Sequence, residues 1–359
     1  MSARRYDESD VRSRPNPRGS RPRTKQRPDH DDAVSALVTG VDRGRYHLLV
    51  APGADDERPV LAMKARELGR ERVVCGDRVD VVGDTSGAAG SLARIVRIGG
   101  RSTVLRRTAD DTDPVERVIV ANASQLVIVT ALADPEPRTR MIDRCVVAAY
   151  DAGMDALLCL TKADLADPAP LVALYAPIGV DVVVTSRSRG DQTIAAGAVG
   201  AAEESWDGLD DVRARLAGRT SVLVGHSGVG KSTLVNALVP GARRATGIVN
   251  DVTGRGRHTS SSAVALRLPE RAGWVIDTPG VRSFGLAHVQ PDSLLGAFAD
   301  LAAVSTERCP RGCTHAADAP DCALDEWVAE AAGPEQEQRA VRVDSMRRLL
   351  AARTAPDGG

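Results

Sequence analysis

Residues 225–233 read Gly225-His226-Ser227-Gly228-Val229-Gly230-Lys231-Ser232-Thr233. An apolar run, Ser221 to Val224, precedes this stretch, and a helix-like run, Leu234 to Val239, follows it. A glycine-rich turn between a buried strand and a helix is the context that a phosphate-binding P-loop requires. Its backbone N–H groups can surround phosphates, and the start of the helix adds partial positive charge. The stretch therefore predicts a site for the phosphates of a nucleotide.

Lysine is rare in this chain, which makes the match specific. The sequence has 47 basic residues, and all of them are arginine except Lys25, Lys64, Lys162 and Lys231. In such a composition a chance P-loop match is expected in about one of a few hundred chains. Lys231 is predicted to reach the β and γ phosphates, and the Ser232 hydroxyl to ligate Mg²⁺. The alternative is a glycine-rich turn that binds nothing.

The composition indicates two or three domains and no membrane span. The chain has 359 residues, of which 43% are apolar and only 3% aromatic, so its cores must rely on Val, Leu and Ala. It contains no signal-like apolar segment and no run of 18 apolar residues, so we expect a cytoplasmic protein. Residues 1–32 read as a disordered basic tail, with either an anionic partner such as RNA or no partner.

Residues 33–105 contain five short β-type runs separated by turn clusters. Five strands in this length favour a small barrel of the OB-fold type. The segment has Tyr46 as its only aromatic residue, so RNA contacts through shape and backbone are more plausible than base stacking. A purely structural barrel is the alternative.

Residues 106–285 alternate between strands and helices, which predicts a mostly parallel sheet covered on both faces. Polar motifs follow several of its strands, at the edge where ligands of such sheets bind. The turn Asp277-Thr278-Pro279-Gly280 can hold Mg²⁺ through water and offer the Gly280 N–H to a γ-phosphate. Thr161-Lys162-Ala163-Asp164 resembles the guanine-reading motif of GTPases. Asp164 would pair with guanine N1 and N2, and Ser186 would give a backbone N–H to O6.

The order of these motifs indicates a circular permutation. In an ordinary GTPase the base-reading motif follows the D-x-x-G turn, but residues 281–359 contain no lysine. Here the motif precedes the P-loop, so the chain resembles a circularly permuted GTPase.

Between the P-loop and the D-x-x-G turn lies a loop with the sequence Gly254-Arg255-Gly256-Arg257-His258-Thr259. Thr259 is predicted to complete the Mg²⁺ shell when a γ-phosphate is bound. Val281 stands where many GTPases have the glutamine that orients water, so hydrolysis should need outside help. His258 is the candidate to position that water, and a solvent-facing histidine is nearly as plausible.

Residues 286–359 are predicted to form a helical zinc-binding domain. They contain a Cys₃His set that satisfies a tetrahedral structural Zn²⁺ site, with ligands Cys309, Cys313, His315 and Cys322. Helices are expected from Ser293 to Ala303 and from Glu335 to Ala352. A Cys309–Cys313 disulfide or free thiols are the alternatives.

Taken together, these motifs resemble the bacterial small-ribosomal-subunit-dependent GTPase family, RsgA (YjeQ type), over about residues 33–350. The resemblance implies a cytoplasmic GTP hydrolase, stimulated by the small ribosomal subunit, that acts late in that particle's maturation. It also implies one structural Zn²⁺, Mg²⁺ with GTP or GDP, rRNA contacts, and His258 as the water-activating residue. We expect a monomer. The rival hypotheses are a non-catalytic RNA-binding assembly factor that uses GTP as a structural switch, and an ATP-using P-loop enzyme.

Overall fold

The computed structural model of the chain describes residues 30–107, 117–189, 204–242, 263–278, 284, 286 and 289–354. Residues 33–359 form one unit by their internal contacts, and residues 1–32 form another. The basic tail predicted for residues 1–32 lies outside the described residues, apart from its last three.

The N-terminal strands bury alternate side chains, so each strand has one face toward a common core. Their order is β1-β2-β3-β5-β4, and β4 also pairs with β1, which closes the barrel. Its buried core includes Val38, Leu48, Val60 and Ile95. The predicted five-stranded barrel is confirmed, with strands β1 (Val34–Asp42), β2 (Arg45–Val50), β3 (Arg58–Lys64), β4 (Arg78–Gly83) and β5 (Ala93–Ile98).

A hairpin that the sequence analysis did not anticipate follows the barrel. It consists of β6 (Val104–Arg107) and β7 (Arg117–Ala121), paired antiparallel. An ion pair fixes the chain at its entrance: Arg101 donates to both oxygens of the fully buried Asp77 carboxylate at 2.7 and 2.8 Å.

The central sheet of the chain is mostly parallel, as predicted. Its order is β10-β9-β8-β13-β15-β14, with only β14 antiparallel to its neighbour. Four of these strands precede the P-loop in sequence and two follow it. The strands are β8 (Gln125–Ala131), β9 (Asp155–Thr161), β10 (Asp181–Val184), β13 (Arg219–Val224), β14 (Val264–Arg267) and β15 (Gly273–Asp277).

Helices cover both faces of this sheet. Every residue of β8 is buried, and alternate residues enter different cores: Leu126 packs on the side of Ile142, and Val127 on the side of Leu234. This explains why the strand is apolar throughout rather than alternating. The covering helices are α1 (Thr139–Asp151), α2 (Ala169–Tyr175), α3 (Leu209–Leu216) and α4 (Lys231–Leu238).

The barrel and the sheet are one continuous hydrogen-bonded structure. Strand β14 pairs with β1, with Gly40 opposite Val264. Beside this pairing, Arg267 donates to both oxygens of Glu57 at 2.5 and 2.8 Å, and the Gly53 N–H donates to the same carboxylate at 2.6 Å. The barrel is therefore held to the sheet by a strand pairing and by a bidentate ion pair.

The C-terminal part contains four helices among the described residues: α5 (Pro291–Gly296), α6 (Ala299–Arg308), α7 (Ala323–Ala329) and α8 (Pro334–Thr354). The single helix predicted from Ser293 to Ala303 is wrong. Phe298 leaves the helical conformation at φ −112°, ψ 82°, and buries its ring edge-on against Tyr150 at 6.0 Å.

None of the described helices combines the length and the apolar composition that crossing a bilayer requires.

The hydrogen bonds from Arg267, and then that from Gly53, lower the pKa of Glu57 from 4.5 to about 2. A carboxylate whose pKa is lower in the folded state stabilises the fold above its unfolded pKa, and the contribution is lost as pH falls toward the folded pKa. We therefore expect Glu57→Gln to reduce the free energy of unfolding at pH 7 by roughly 1 to 3 kcal/mol. The difference from the unmodified protein should shrink as pH falls from about 5 to 3.

Denaturant unfolding followed by tryptophan fluorescence across this pH range measures the difference. Asp56→Asn is the matched control. Asp56 is 71% exposed, and its ion pair with Arg58 is long, at 3.4 Å, so its loss should change the free energy of unfolding little. A Glu57→Gln difference that does not depend on pH would contradict the prediction.

Candidate nucleotide and metal sites

The P-loop stretch lies where the sequence places it, between β13 and α4. Two of its glycines are required by the geometry. A Cβ on Gly225 would lie 2.6 Å from the Val129 carbonyl oxygen, and Gly230, the residue directly before α4, has φ 89°. The loop can therefore follow this path only with glycine at these positions.

Lys231, the first residue of α4, makes an ion pair with the Asp277 carboxylate at the end of β15. Both side chains are largely shielded from water, at 13% and 22% exposure. The following hydroxyl, on Thr278, donates to the Leu223 carbonyl at 2.8 Å and fixes the start of the D-x-x-G turn to β13. The end of β15 is therefore tied to the phosphate loop by a charge pair and to β13 by a hydrogen bond.

The Thr161 motif at the end of β9 lies directly beside the P-loop. The Thr161 hydroxyl is buried and donates to the Val229 carbonyl at 2.6 Å, across 68 residues of sequence. Lys162 adopts φ 58°, and its ammonium donates to the Asp134 carbonyl. Asp164, two residues further on, is exposed. The two motifs that were predicted to bind opposite ends of one nucleotide are thus adjacent in space.

Ser186 begins a second unexpected hairpin, formed by β11 (Ser186–Arg189) and β12 (Glu204–Asp207). The preceding residue, Thr185, accepts the Ala163 N–H at its carbonyl at 3.3 Å, and its hydroxyl donates to the Asp207 carbonyl at 2.7 Å. These bonds hold Ser186 beside the Thr161 motif. Asp207 belongs to no recognisable sequence motif, and its position shortly before α3 is the only signal that the sequence gives for it.

The other predicted nucleotide residues are placed as follows. His226 is half-buried, with Nδ1 3.0 Å from the Ser227 carbonyl, and Ser227 and Ser232 are exposed. His258, Thr259, Gly280 and Val281 lie outside the described residues.

The four predicted metal ligands converge. The ligand atoms of Cys309, Cys313, His315 and Cys322 all lie within 4.8 Å of one another. His315 directs Nδ1 toward the sulfurs of Cys309 and Cys322 at 3.7 and 3.8 Å, while Nε2 lies 3.2 Å from the Ser305 hydroxyl. All three cysteines are free, so the alternative disulfide is not formed. Ser305, which orients the imidazole from α6, was not found from sequence.

Burial sets the protonation of this cluster. It raises the pKa of the Cys322 thiol to about 11 and lowers the pKa of His315. Without a cation the thiol is therefore protonated and the imidazole neutral at neutral pH. A neutral imidazole is already in its metal-binding form, and a cation would favour the thiolate. The donor set and its spacing suit a metal ion that prefers sulfur and nitrogen ligands.

Comparison with known proteins assigns the family. The family model described as RsgA GTPase matches residues 98–287, which is more than half of the 359 residues of the chain. The chain belongs to the RsgA GTPase family.

Several relatives carry the name small ribosomal subunit biogenesis GTPase RsgA. That of Ectopseudomonas mendocina is 39% identical over 212 residues, which cover 57% of this chain and 56% of that protein. That of Pseudomonas syringae pv. tomato is 35% identical over 286 residues, or 78% of this chain and 75% of that protein. The Gemmatimonas aurantiaca protein is 34% identical over 74% of this chain and 81% of its own length.

Solved structures agree on the fold. YjeQ from Thermotoga maritima aligns with a TM-score of 0.58 at 22% identity, over 88% of this chain and 98% of that one. YloQ, described as a circularly permuted GTPase, aligns with a TM-score of 0.58 at 21% identity, over 89% and 96%. The expected resemblance to RsgA proteins, the permuted GTPase fold and the N-terminal barrel are confirmed.

The Thr161 hydroxyl makes the only side-chain hydrogen bond recorded between the Thr161 motif and the P-loop among the described residues. Thr161→Val is expected to leave the Val229 carbonyl unsatisfied and to raise the Kd for GDP roughly three- to tenfold. Thr130→Val is the matched control, because the buried Thr130 hydroxyl has no partner among the described residues. Isothermal titration measures both variants. Equal affinities for the two would contradict the role given to Thr161.

Proposed function

We propose that this chain binds GTP and hydrolyses it to GDP and phosphate during biogenesis of the small ribosomal subunit. The observation that carries the proposal is the Thr161–Val229 hydrogen bond, which brings the base-reading motif against the phosphate loop. The names of the relatives supply the ribosomal partner. The catalytic and binding roles proposed below rest on the sequence motifs and, for the described residues, on the contacts given above.

The triphosphate would lie along residues 225–233, with Lys231 on the β and γ phosphates. In the structure Lys231 pairs with Asp277, so the phosphates would replace that carboxylate as its main partner. Ser232 and Thr259 would hold Mg²⁺, with Asp277 acting through water. When bound, Mg²⁺ neutralises charge on the β and γ phosphates. Gly280 would donate its N–H to the γ-phosphate.

At the other end, Thr161, Lys162, Asp164 and Ser186 would read guanine. The exposed Asp164 carboxylate is free to accept two hydrogen bonds from guanine, which adenine cannot supply in the same way. The Lys162 stem would cover the base. His258 would position the attacking water, since Val281 lacks the polar group needed for that task.

The proposed domain limits are residues 1–32 for the basic tail, 33–105 for the barrel, 106–285 for the GTPase domain and 286–359 for the zinc-binding domain. The barrel and the zinc-binding domain would contact rRNA, and the protein would act as a monomer in the cytoplasm. The Cys₃His cluster would bind one structural Zn²⁺.

Purified small ribosomal subunits are expected to raise GTP turnover by roughly tenfold or more, because Val281 stands where many GTPases have the glutamine that orients water. Phosphate release with and without subunits measures this, and Lys231→Ala gives the background. Excess ATP should not displace labelled GTP. The same GTP turnover with and without small subunits would contradict the ribosomal role. If His258→Ala and Val281→Gln leave turnover unchanged while subunit affinity follows the bound nucleotide, the non-catalytic assembly factor is the better account.

Purified protein is expected to contain one zinc ion per chain by elemental mass spectrometry, and Cys309→Ser to lose it. Removing zinc with a chelator should lower the melting temperature of the helices around the cluster, because metal binding contributes to their folding. Cys75→Ala is the control, since the buried Cys75 lies in another part of the fold. A metal-free protein with the same melting temperature would contradict a structural metal.

A further inference from the structure

A cavity of about 400 Å³ lies between the barrel and the sheet, at the edge opposite the P-loop. Its walls come from both sides: β1 and β4 contribute Leu37 and Arg78, and β14 and β15 contribute Arg267 and Trp274. Thr220, near the start of β13, marks this edge, whereas the P-loop follows the end of that strand. The volume is in the range of small-ligand sites. The cavity contains none of the predicted nucleotide or metal residues.

The charge of this cavity is positive. Three arginines line it, Arg78, Arg267 and Arg271, and no acidic residue is among its described lining residues. Arg267 is paired with Glu57, and the exposed Arg271 interacts electrostatically with the same carboxylate, whereas the exposed Arg78 has no carboxylate partner among the described residues. Three guanidinium groups around one carboxylate leave a net positive charge, which favours an anionic ligand.

The cavity also offers flat stacking surfaces. The Arg267 guanidinium lies 4.7 Å from the centre of the half-buried Trp274 ring. Unpaired bases stack on aromatic rings and on guanidinium planes. The barrel itself offers no exposed aromatic ring, because Tyr46, its only aromatic residue, is 8% exposed and packs in the core.

We propose that this cavity binds one unpaired nucleotide of RNA, with the base against Arg267 and Trp274 and the flanking phosphates on Arg78 and Arg271. The inference rests on the proposed function, which makes an RNA-containing particle the partner. The carboxylates of an acidic peptide would also pair with the arginines, but they would not stack on the guanidinium and indole planes. The combination of charge and stacking surface therefore favours a nucleotide.

The location gives this contact a structural consequence. The cavity is lined by β1 on one side and by β14 on the other, and these strands pair with each other. A nucleotide bound there would bridge the barrel and the sheet rather than rest on the barrel alone. It would also touch the strand that begins directly after residues 243–262, which include His258 and Thr259.

Fluorescence of Trp274 tests the site directly. The chain has three tryptophans, so the double variant Trp206→Phe/Trp327→Phe leaves Trp274 as the single reporter. A mixed-sequence, single-stranded RNA of ten nucleotides is expected to quench it, and polyglutamate is not. Quenching by polyglutamate without quenching by RNA overturns the proposal in favour of an acidic protein segment. Quenching by uridine monophosphate but not by RNA overturns it in favour of a free nucleotide.

Affinity for purified small subunits tests the same site in the full chain with its native tryptophans. Trp274→Leu is expected to lower affinity roughly tenfold, and Arg78→Gln to lower it and to reduce the salt slope by about one. Arg66→Gln is the charge-matched control, because Arg66 is exposed on the same barrel and outside the cavity. Equal losses for Arg78→Gln and Arg66→Gln overturn the proposal, since general electrostatics then explains them.

The proposed function and the cavity proposal can fail separately. If the unmodified protein neither binds small subunits nor is stimulated by them, the proposed function fails. If it binds and is stimulated while Trp274→Leu and Arg78→Gln match it in affinity, only the cavity proposal is overturned. Circular dichroism of each variant shows whether a loss of affinity comes from unfolding, and a folded Trp274→Leu protein with unchanged affinity is decisive against the site.

Discussion

The hydrogen bond from the Thr161 hydroxyl to the Val229 carbonyl joins two motifs that sequence separates by 68 residues. A buried carbonyl left without a donor costs about 1 to 3 kcal/mol, so this contact constrains both loops at once. It depends on the strand order β9-β8-β13, which places the carboxyl ends of β9 and β13 at the same edge. Cutting and rejoining a GTPase chain elsewhere leaves this edge intact, because parallel strands need only the same neighbours and not the same order along the sequence.

The same sheet also explains why the barrel is joined to the GTPase fold and is not a separate module. Strand β14 is the antiparallel edge of the sheet, and an uncovered edge strand invites pairing with another chain. Here β1 of the barrel covers it, and the Glu57–Arg267 pair fixes the two elements at the side. The barrel is therefore attached to the strand that follows residues 243–262 in sequence.

The sequence predicted what depends on local periodicity and on motif chemistry, and it missed what depends on distant partners. Apolar alternation predicts the barrel strands, apolar runs predict the parallel strands, and cysteine spacing predicts the metal cluster. No such pattern predicts the hairpin of β11 and β12, because Ser186–Arg189 is polar throughout and forms a strand only against Glu204–Asp207. The helix break at Phe298 cannot be read from the sequence, because Phe298 fits the apolar pattern of a continuous helix. Its ring instead packs against Tyr150, a residue far away in sequence. Ser305 likewise gains its role only when His315 folds against α6.

The C-terminal helices hold the opposite flank of the site by a buried cation. Arg144 on α1 is 3% exposed and donates to the Phe284 carbonyl at 3.0 and 2.6 Å, and to the Ala352 carbonyl on α8 at 3.3 Å. Phe284 follows the D-x-x-G turn by a few residues, so one guanidinium links the exit of that turn to the helix that closes the chain. A buried guanidinium is costly unless its donors are satisfied, and backbone carbonyls satisfy them only while both segments stay in place.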